Sequence, residues 1–356
     1  MKESKRKNFL IVGLIVAASL VLTGCTGGAM ATNNWPGVSA DSESVYLANT
    51  TLISLRMADG TVKWQYPEKA DAKHLLYSQP VILDDQVLVG DYGGVLRSIN
   101  PKTGTLLWTF EDADNRYIAS PVVTEDQIFA ASMDGTLYAL NLNGALQWKF
   151  ETESGLWVSP VANGDMVYQS SMDKKLYALK QSDGTVVWEA DMGAASVTMP
   201  VLSEDAGTLY INTFSNKVIA VNTKSGKVLW ETPTSDTVWS QPFLVDGTLY
   251  FGDNAGNVYS LDAVSGSVKW TIPLTGAVIS GGVKLPGGLV FASETGEVVM
   301  LDADGAKVWT RTITGELYSN LVVVDDRVLV PVMKGDQTLV CFDNNGNQVW
   351  TYTTSK

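Results

Sequence analysis

The stretch Asp134-Gly-Thr-Leu-Tyr-Ala-Leu-Asn-Leu-Asn-Gly-Ala-Leu-Gln-Trp148 contains two apolar runs, each opened by a turn dipeptide. Asp-Gly and Asn-Gly tolerate the positive φ that tight hairpin turns require, and the runs that follow are rich in strand-forming residues. Residues 120–123 and 127–130 add two more short strand signals upstream. The whole unit therefore predicts four short antiparallel strands within about 40 residues.

The glycine and tryptophan that end this stretch recur along the whole chain. Eight tryptophans lie 39 to 44 residues apart, and a glycine precedes each one by four positions. The tryptophans are Trp64, Trp108, Trp148, Trp188, Trp230, Trp270, Trp309 and Trp350. Four strands repeated at this period indicate a propeller, because a closed ring of sheets leaves no large apolar end face exposed. We therefore predict an all-β fold, an eight-bladed β-propeller of four-stranded antiparallel blades, over residues 35–356.

The order of the strands also predicts how the ring closes. The first unit starts with an innermost strand near Trp35, and the last ends with an outer strand after Trp350. We therefore expect the first and last blades to be joined by packing alone. Strand exchange by residues 30–34 is the alternative.

The first 24 residues have the pattern of a lipoprotein signal peptide. A basic start over residues 2–7 is followed by an apolar run over 9–22, too short for a comfortable membrane span. The run ends in Leu22-Thr23-Gly24-Cys25, which resembles a bacterial lipobox. We expect cleavage before Cys25, lipidation of Cys25, and a flexible lipidated tether over residues 25–34. An ordinary secretory signal with a coincidental cysteine is the alternative.

The composition excludes several classes of function. The net charge is −13 and the pI is near 4.5, so the basic surface needed for nucleic-acid binding is missing. Removal of residues 1–24 would take away a net charge of +3 and leave −16. One histidine and two cysteines exclude most zinc, haem and iron–sulfur sites.

The stretches Asp134–Trp148 and Lys175-Leu-Tyr-Ala-Leu-Lys-Gln-Ser-Asp-Gly-Thr-Val-Val-Trp188 resemble the pyrroloquinoline-quinone (PQQ) propeller repeat. Two branches of that family are relevant. In the quinoprotein dehydrogenases the propeller holds the quinone and a metal ion. The lipoproteins of the BamB type, which assist outer-membrane assembly, are not enzymes. In both branches the resemblance implies that the eight repeat tryptophans dock between blades and are structural.

The dehydrogenase branch implies features that this sequence lacks. Its members resemble one another in having longer chains and a pair of neighbouring cysteines over the quinone. Here Cys341 lies in a strand, at a position that small residues such as Ala139 and Ala178 occupy elsewhere, so we expect a buried inert thiol. Asp343-Asn-Asn-Gly346 is explained by turn chemistry without calcium, and the only histidine, His74, is expected on a surface loop. We expect no catalytic residue, no metal and no cofactor, with PQQ and calcium as the disfavoured alternative.

A second alignment, on the residue that opens each inner strand, indicates where a partner would bind. Five of the eight residues three positions earlier are aromatic: Trp35, Tyr77, Trp157, Trp239 and Tyr318. We expect them to ring the central funnel on one face of the propeller. They either wedge the blades together or form a recognition surface, since Trp and Tyr are enriched at binding hot spots.

The leading hypothesis is a lipid-anchored, extracytoplasmic scaffold that binds extracytoplasmic or membrane proteins, similar to the BamB type. We expect a monomeric propeller held at the membrane by the lipid on Cys25. In a cell with two membranes, the resemblance implies the periplasmic face of the outer membrane; in a cell with one, the anchor implies its outer face. A quinone-dependent sugar or alcohol dehydrogenase and a glycan or cell-wall binding module are the alternatives.

Overall fold

The computed structural model of the protein describes residues 35–71, 75–76 and 78–354. These residues form eight four-stranded antiparallel sheets and contain no helix, so none of them provides a helical membrane span. In every sheet the four strands are consecutive along the chain, and each sheet is therefore one blade. The predicted all-β, eight-bladed architecture is confirmed. The predicted signal peptide, Cys25 and the tether lie outside the described residues.

Blades 1 to 4 contain sixteen of the strands. They are β1 Gly37–Ala40, β2 Ser44–Ala48, β3 Leu52–Arg56, β4 Val62–Tyr66, β5 Val81–Ile82, β6 Val87–Gly90, β7 Leu96–Ile99, β8 Leu106–Phe110, β9 Val122–Val123, β10 Gln127–Ala131, β11 Thr136–Asn141, β12 Leu146–Glu151, β13 Val161–Asn163, β14 Met166–Ser170, β15 Lys175–Lys180 and β16 Val186–Asp191.

Blades 5 to 8 contain the other sixteen. They are β17 Val201–Leu202, β18 Thr208–Thr213, β19 Lys217–Asn222, β20 Val228–Pro233, β21 Phe243–Val245, β22 Thr248–Gly252, β23 Asn257–Asp262, β24 Val268–Pro273, β25 Val283–Leu285, β26 Gly288–Ala292, β27 Glu297–Leu301, β28 Lys307–Thr312, β29 Val322–Val324, β30 Arg327–Pro331, β31 Leu339–Asp343 and β32 Gln348–Tyr352.

Burial follows the position of a strand within its blade. The two middle strands are buried on both faces, as in β2 and β22, where every residue is buried. The outer strands are largely exposed, as in β16. Sheets covered on both sides by other sheets need apolar residues on both faces, which explains why the middle strands read as nearly continuous apolar runs.

The core consists of eight apolar layers, each between two adjacent blades. The layer between blades 3 and 4, for example, joins Phe129 and Leu137 to Val167 and Tyr177. Another layer joins blade 8 to blade 1 and so closes the ring. Every sheet in the described part of the chain takes its strands from one blade, so closure among these residues rests on packing and side-chain hydrogen bonds. The alternative, strand exchange by residues 30–34, lies outside the described residues.

Each repeat tryptophan lies at the interface between its own blade and the following blade, which we call a joint. The indole nitrogen donates a hydrogen bond to a backbone carbonyl there in seven of the eight blades. The pairs are Trp64–Pro101 (2.8 Å), Trp148–Gln181 (2.7 Å), Trp188–Thr223 (2.9 Å), Trp230–Ala263 (3.2 Å), Trp270–Ala303 (3.0 Å), Trp309–Asn344 (3.0 Å) and Trp350–Met57 (2.9 Å). Buried indoles supply packing area and need one partner for the N–H, and this arrangement provides both.

Blade 2 makes the same link through an additional side chain. Trp108 donates to the Gln86 side-chain oxygen at 3.1 Å, and the Gln86 amide nitrogen donates to the Leu142 carbonyl of blade 3 at 3.0 Å. Ser98 donates to the same Gln86 oxygen at 2.6 Å. Gln86 is buried, and its amide therefore bridges the two blades with both of its functional groups used.

The repeat glycine receives the tryptophan of the preceding blade. At Gly184 (φ 71°) an added Cβ would lie 2.6 Å from Trp148, and at Gly60 (φ 72°) it would lie 2.7 Å from Trp350. Both the positive φ and the close approach require glycine. The glycine and tryptophan of one repeat therefore belong to two different joints.

Candidate functional site

The axial pocket is a cavity of about 650 Å³ where the inner strands of all eight blades begin. We use this name for the space lined by residues 35–39, 79–82, 118–122, 157–159, 197–199, 239, 241, 279, 281–282 and 318–321. Since every blade contributes to the lining, the pocket lies on the axis of the ring. Its mouth is on the face where each outer strand leads into the next inner strand.

The aromatic residues singled out from the sequence line this pocket. Trp35, Trp157, Trp239 and Tyr318 all contribute to its wall, whereas Tyr77 lies outside the described residues. Trp35 is 40% exposed, and the other three are half-buried. Each ring therefore leaves part of its surface open to the pocket or its mouth.

Three of these four rings are fixed by aromatic neighbours. Trp35 and Tyr318 come from adjacent blades and stack with ring centroids 6.1 Å apart and an interplanar angle of 28°. Trp239 makes an edge contact with Phe214, at 5.4 Å between centroids. Contacts of this kind hold the rings in place. These aromatic residues can therefore support the packing between blades and still expose one face for binding.

Phe214 extends the aromatic surface and was not found from the sequence. It lies on the turn between β18 and β19, is 39% exposed, and reaches the mouth of the pocket only through its contact with Trp239. The alignment that found the other aromatic residues follows the entrance to each inner strand, so it cannot identify a residue on a different turn.

The described lining contains no aspartate, glutamate, lysine, arginine or histidine. Tyr318 is the lining residue that could titrate, and burial, followed by the nearby carboxylates of Glu316 and Glu294, raises its pKa above the ordinary value. The lining is therefore uncharged at neutral pH, in a chain whose net charge is −13. Binding there depends on apolar contact and neutral hydrogen bonds.

Several polar groups of the lining are committed to holding the inner strands together. The Gln241 amide exchanges two hydrogen bonds with the Met199 backbone, donating to its carbonyl at 2.8 Å and accepting from its N–H at 3.1 Å. Asn320 accepts from the Gly281 N–H at 2.8 Å. These bonds link neighbouring blades at the pocket wall.

Two hydroxyl groups of the lining have no such role. Thr198 is only 4% exposed, and its hydroxyl oxygen has no hydrogen-bond partner. The buried hydroxyl oxygen of Ser319 is also without a partner. A buried polar atom without a partner costs about 1–3 kcal/mol. Both oxygens have almost no accessible surface, so they are closed off from the pocket space and are not placed to contact a ligand.

The pocket does not fit the quinone and metal of the dehydrogenase branch. Calcium takes several oxygen ligands that include carboxylates, and a quinone that carries carboxylates calls for cationic partners. The described lining has neither kind of side chain, and across the described residues no group of three acidic, cysteine or histidine side chains could hold a metal ion.

Cys341 is a free, fully buried thiol. It pairs across the strands with Trp350, in the register position that Ala139 takes opposite Trp148. Burial raises the pKa of its thiol to about 12, so the reactive thiolate is absent at neutral pH. His74 lies outside the described residues.

These features define the class of the protein. It is an eight-bladed propeller with PQQ-like repeats, in which the tryptophan of one blade packs on the glycine of the next. The family model for the outer membrane protein assembly factor BamB (PQQ_2) matches residues 23–188, 93–237, 197–277 and 254–356. The matches cover most of the chain, and the chain belongs to this family.

Solved structures with the same fold include both branches and a designed protein. BamB from Moraxella catarrhalis is 18% identical with a TM-score of 0.70, covering 85% of this chain and 92% of that one. The quinohemoprotein alcohol dehydrogenase ADHIIG from Pseudomonas putida HK5 is 13% identical with a TM-score of 0.73, covering 91% and 76%. The designed protein Ika8 is 14% identical with a TM-score of 0.77, covering 88% and 98%. At these identities the likeness concerns the fold alone.

Comparison with curated proteins gives no match.

Proposed function

We propose that the protein is a non-enzymatic scaffold that binds other proteins on the extracytoplasmic side of a membrane. Membership of the BamB family supports this role. The observation that carries it is the convergence of Trp35, Trp157, Trp239 and Tyr318 from separate blades on one uncharged pocket mouth. Half-exposed Trp and Tyr clusters of this kind are typical of binding hot spots.

The anchor in this proposal is a lipid on Cys25. The signal-peptide pattern of residues 1–24 and the small residues before Cys25 support it. More than one acyl chain is needed for stable attachment, since the net charge of −16 after cleavage gives no attraction to anionic lipids. Labelling of cells with a radioactive fatty acid should mark the protein, and Cys25→Ser should abolish the label and release the protein from the membrane fraction. Labelled C25S would contradict the anchor.

The binding role is tested by capture from the host envelope. The tagged full chain is crosslinked in cells, purified, and its partners are identified by mass spectrometry. Trp157→Ala and Trp239→Ala should each reduce the recovered partner several-fold, because truncation of hot-spot aromatics commonly costs about 2 kcal/mol or more. Val264→Ala is the control, because Val264 is 85% exposed on the turn between β23 and β24, at the opposite end of the blade.

A change in stability without a change in partner recovery would favour the wedge interpretation and contradict the binding role. The enzyme alternative has its own test. An absorbance titration with PQQ and calcium should give no saturable binding, and tight binding would overturn the non-enzymatic assignment.

A further inference from the structure

We infer that the axial pocket itself is a binding site for an uncharged saccharide. The inference goes beyond the proposed protein scaffold, because it concerns the interior of the pocket rather than the partner that lies across its mouth. A volume of about 650 Å³ lies within the range of roughly 300–1,000 Å³ that is usual for small-molecule sites. The space is therefore suited to one or a few sugar rings.

The absence of ionisable side chains from the described lining selects for a neutral ligand. A charged ligand would leave water for a pocket that offers no countercharge, which is costly. Neutral sugars are polar and uncharged, so they avoid this penalty. They need hydrogen-bond partners and flat apolar surfaces, and the pocket provides both.

The aromatic residues supply the flat surfaces. Trp157 and Trp239 are half-buried in the pocket wall, and Trp35 with Tyr318 forms a stacked pair on another part of it. The face of an aromatic ring carries partial negative charge, and the C–H groups on the face of a sugar ring carry partial positive charge. Sugar rings therefore pack on indole faces.

Half-buried hydroxyl groups of the lining supply the hydrogen bonds. Ser120 and Ser159 line the pocket and are half-buried. Each hydroxyl can donate one bond and accept two, which matches the hydroxyls of a sugar. Asn320 is exposed at the pocket wall, and its amide nitrogen is a further donor beside the oxygen that accepts from the Gly281 N–H. Ser159 is the most informative of the three, because it lies in the same part of the wall as Trp157.

The experiment is a titration of the full-length protein with defined sugars. The protein is purified in an amine-oxide detergent, since glycoside detergents would compete, and binding is followed by calorimetry and tryptophan fluorescence. The neutral probes are glucose, cellobiose and N,N′-diacetylchitobiose, and the charged counterparts are glucuronic acid and glucosamine. At least one neutral sugar should bind with a dissociation constant on the order of 1 mM or tighter. Its charged counterpart should bind at least tenfold more weakly.

Two variants separate binding from folding. Ser159→Ala removes only one hydroxyl from the pocket wall, so it should weaken sugar binding several-fold while the melting temperature changes by less than about 2 °C. Trp157→Ala should weaken sugar binding about three- to tenfold. Val264→Ala should bind as the unmodified protein does.

Failure of all neutral sugars to bind, or equal binding of neutral and charged sugars, would overturn the inference. Displacement of a bound sugar by uncharged peptides of equal or higher affinity would also overturn it, in favour of a peptide site. Partner capture by the Ser159→Ala variant distinguishes this inference from the scaffold role. Capture should be unchanged even where sugar binding is lost.

Discussion

The joints between blades and the lining of the axial pocket are both built from eight copies of one repeat, yet they differ in how uniform the copies are. All eight joints use a tryptophan on a glycine, with a hydrogen bond from the indole to the next blade or to a side chain that reaches it. The residues at the pocket mouth vary from Trp to Ile and Val. Uniform contacts hold the ring together, and the varied positions are free to form an asymmetric binding surface.

The largest expected effect comes from removing one aromatic residue from each region. Trp188→Ala should lower the free energy of unfolding by about 3–5 kcal/mol, because it empties a joint and leaves the Thr223 carbonyl without its donor. Trp157→Ala should cost about 1 kcal/mol or less, since its ring is half-exposed in the pocket. Urea unfolding of the two variants measures the difference. Equal losses would show that the pocket aromatics are structural wedges.

The next largest effect separates two costs of replacing a glycine: the close contact of the added Cβ with the indole, and the strain of a positive φ. Gly184→Ala should cost about 2–4 kcal/mol, because the added Cβ meets Trp148 at 2.6 Å and φ is 71°. Gly164 also has a positive φ, 55°, but an added Cβ there meets nothing within 4 Å. Gly164→Ala should therefore cost only about 1 kcal/mol. If thermal unfolding gives the same loss for both, the indole does not pack as closely as described.

The sequence predicted the number of blades, but it predicted the contacts between blades only in part. The spacing of the tryptophans alone gives eight four-stranded units. The same pattern does not indicate that Gly184 packs against Trp148 of the preceding unit rather than against Trp188 of its own unit. Glycine and tryptophan recur with the same period, so the pattern does not show which glycine contacts which tryptophan. The contact between Gly184 and Trp148 joins two neighbouring repeats.

The pocket was predicted in position and missed in part. Alignment on the inner strands placed Trp35, Trp157, Trp239 and Tyr318 at one end of the ring, where the structure has them. Phe214 was missed because it lies on a different turn and joins the aromatic surface through packing on Trp239 that no local pattern encodes.

A smaller effect tests the one joint that differs from the others. Gln86→Met keeps most of the side-chain volume but leaves the Trp108 N–H and the Leu142 carbonyl without partners. We expect a loss of about 2 kcal/mol in urea unfolding. Gln147→Met is the control, because that exposed amide bonds only to the nearby Ala145 and Leu146 carbonyls, and it should be neutral. A neutral Gln86→Met would show that the bridge contributes nothing to the joint.

The effect that is smallest at neutral pH is a pH dependence at Cys341. Burial raises the thiol pKa from 9.0 to about 12, so the folded state binds the proton more tightly than the unfolded state does. The resulting stabilisation is complete below pH 9 and is lost as the pH rises toward 12, by at most about 1.4 kcal/mol per pH unit. Cys341→Ala should be nearly neutral at pH 7, since Ala139 and Ala178 occupy the same register position opposite Trp148 and Trp188. The alkaline loss of stability should be smaller in the variant, and an unchanged pH profile would contradict the assignment.

The joint between blades 8 and 1 has a further consequence, because no stretch of the described chain runs directly from one of these blades to the other. Elsewhere an outer strand continues into the next inner strand, so two blades stay tethered even when their indole contact breaks. At this joint the hydrogen bonds from Trp350 and Arg327 to the Met57 carbonyl connect residues 293 and 270 positions apart in sequence. Thermal opening of the ring is therefore expected to begin at this seam, and amide protons along it should exchange with solvent before those at the other seven joints.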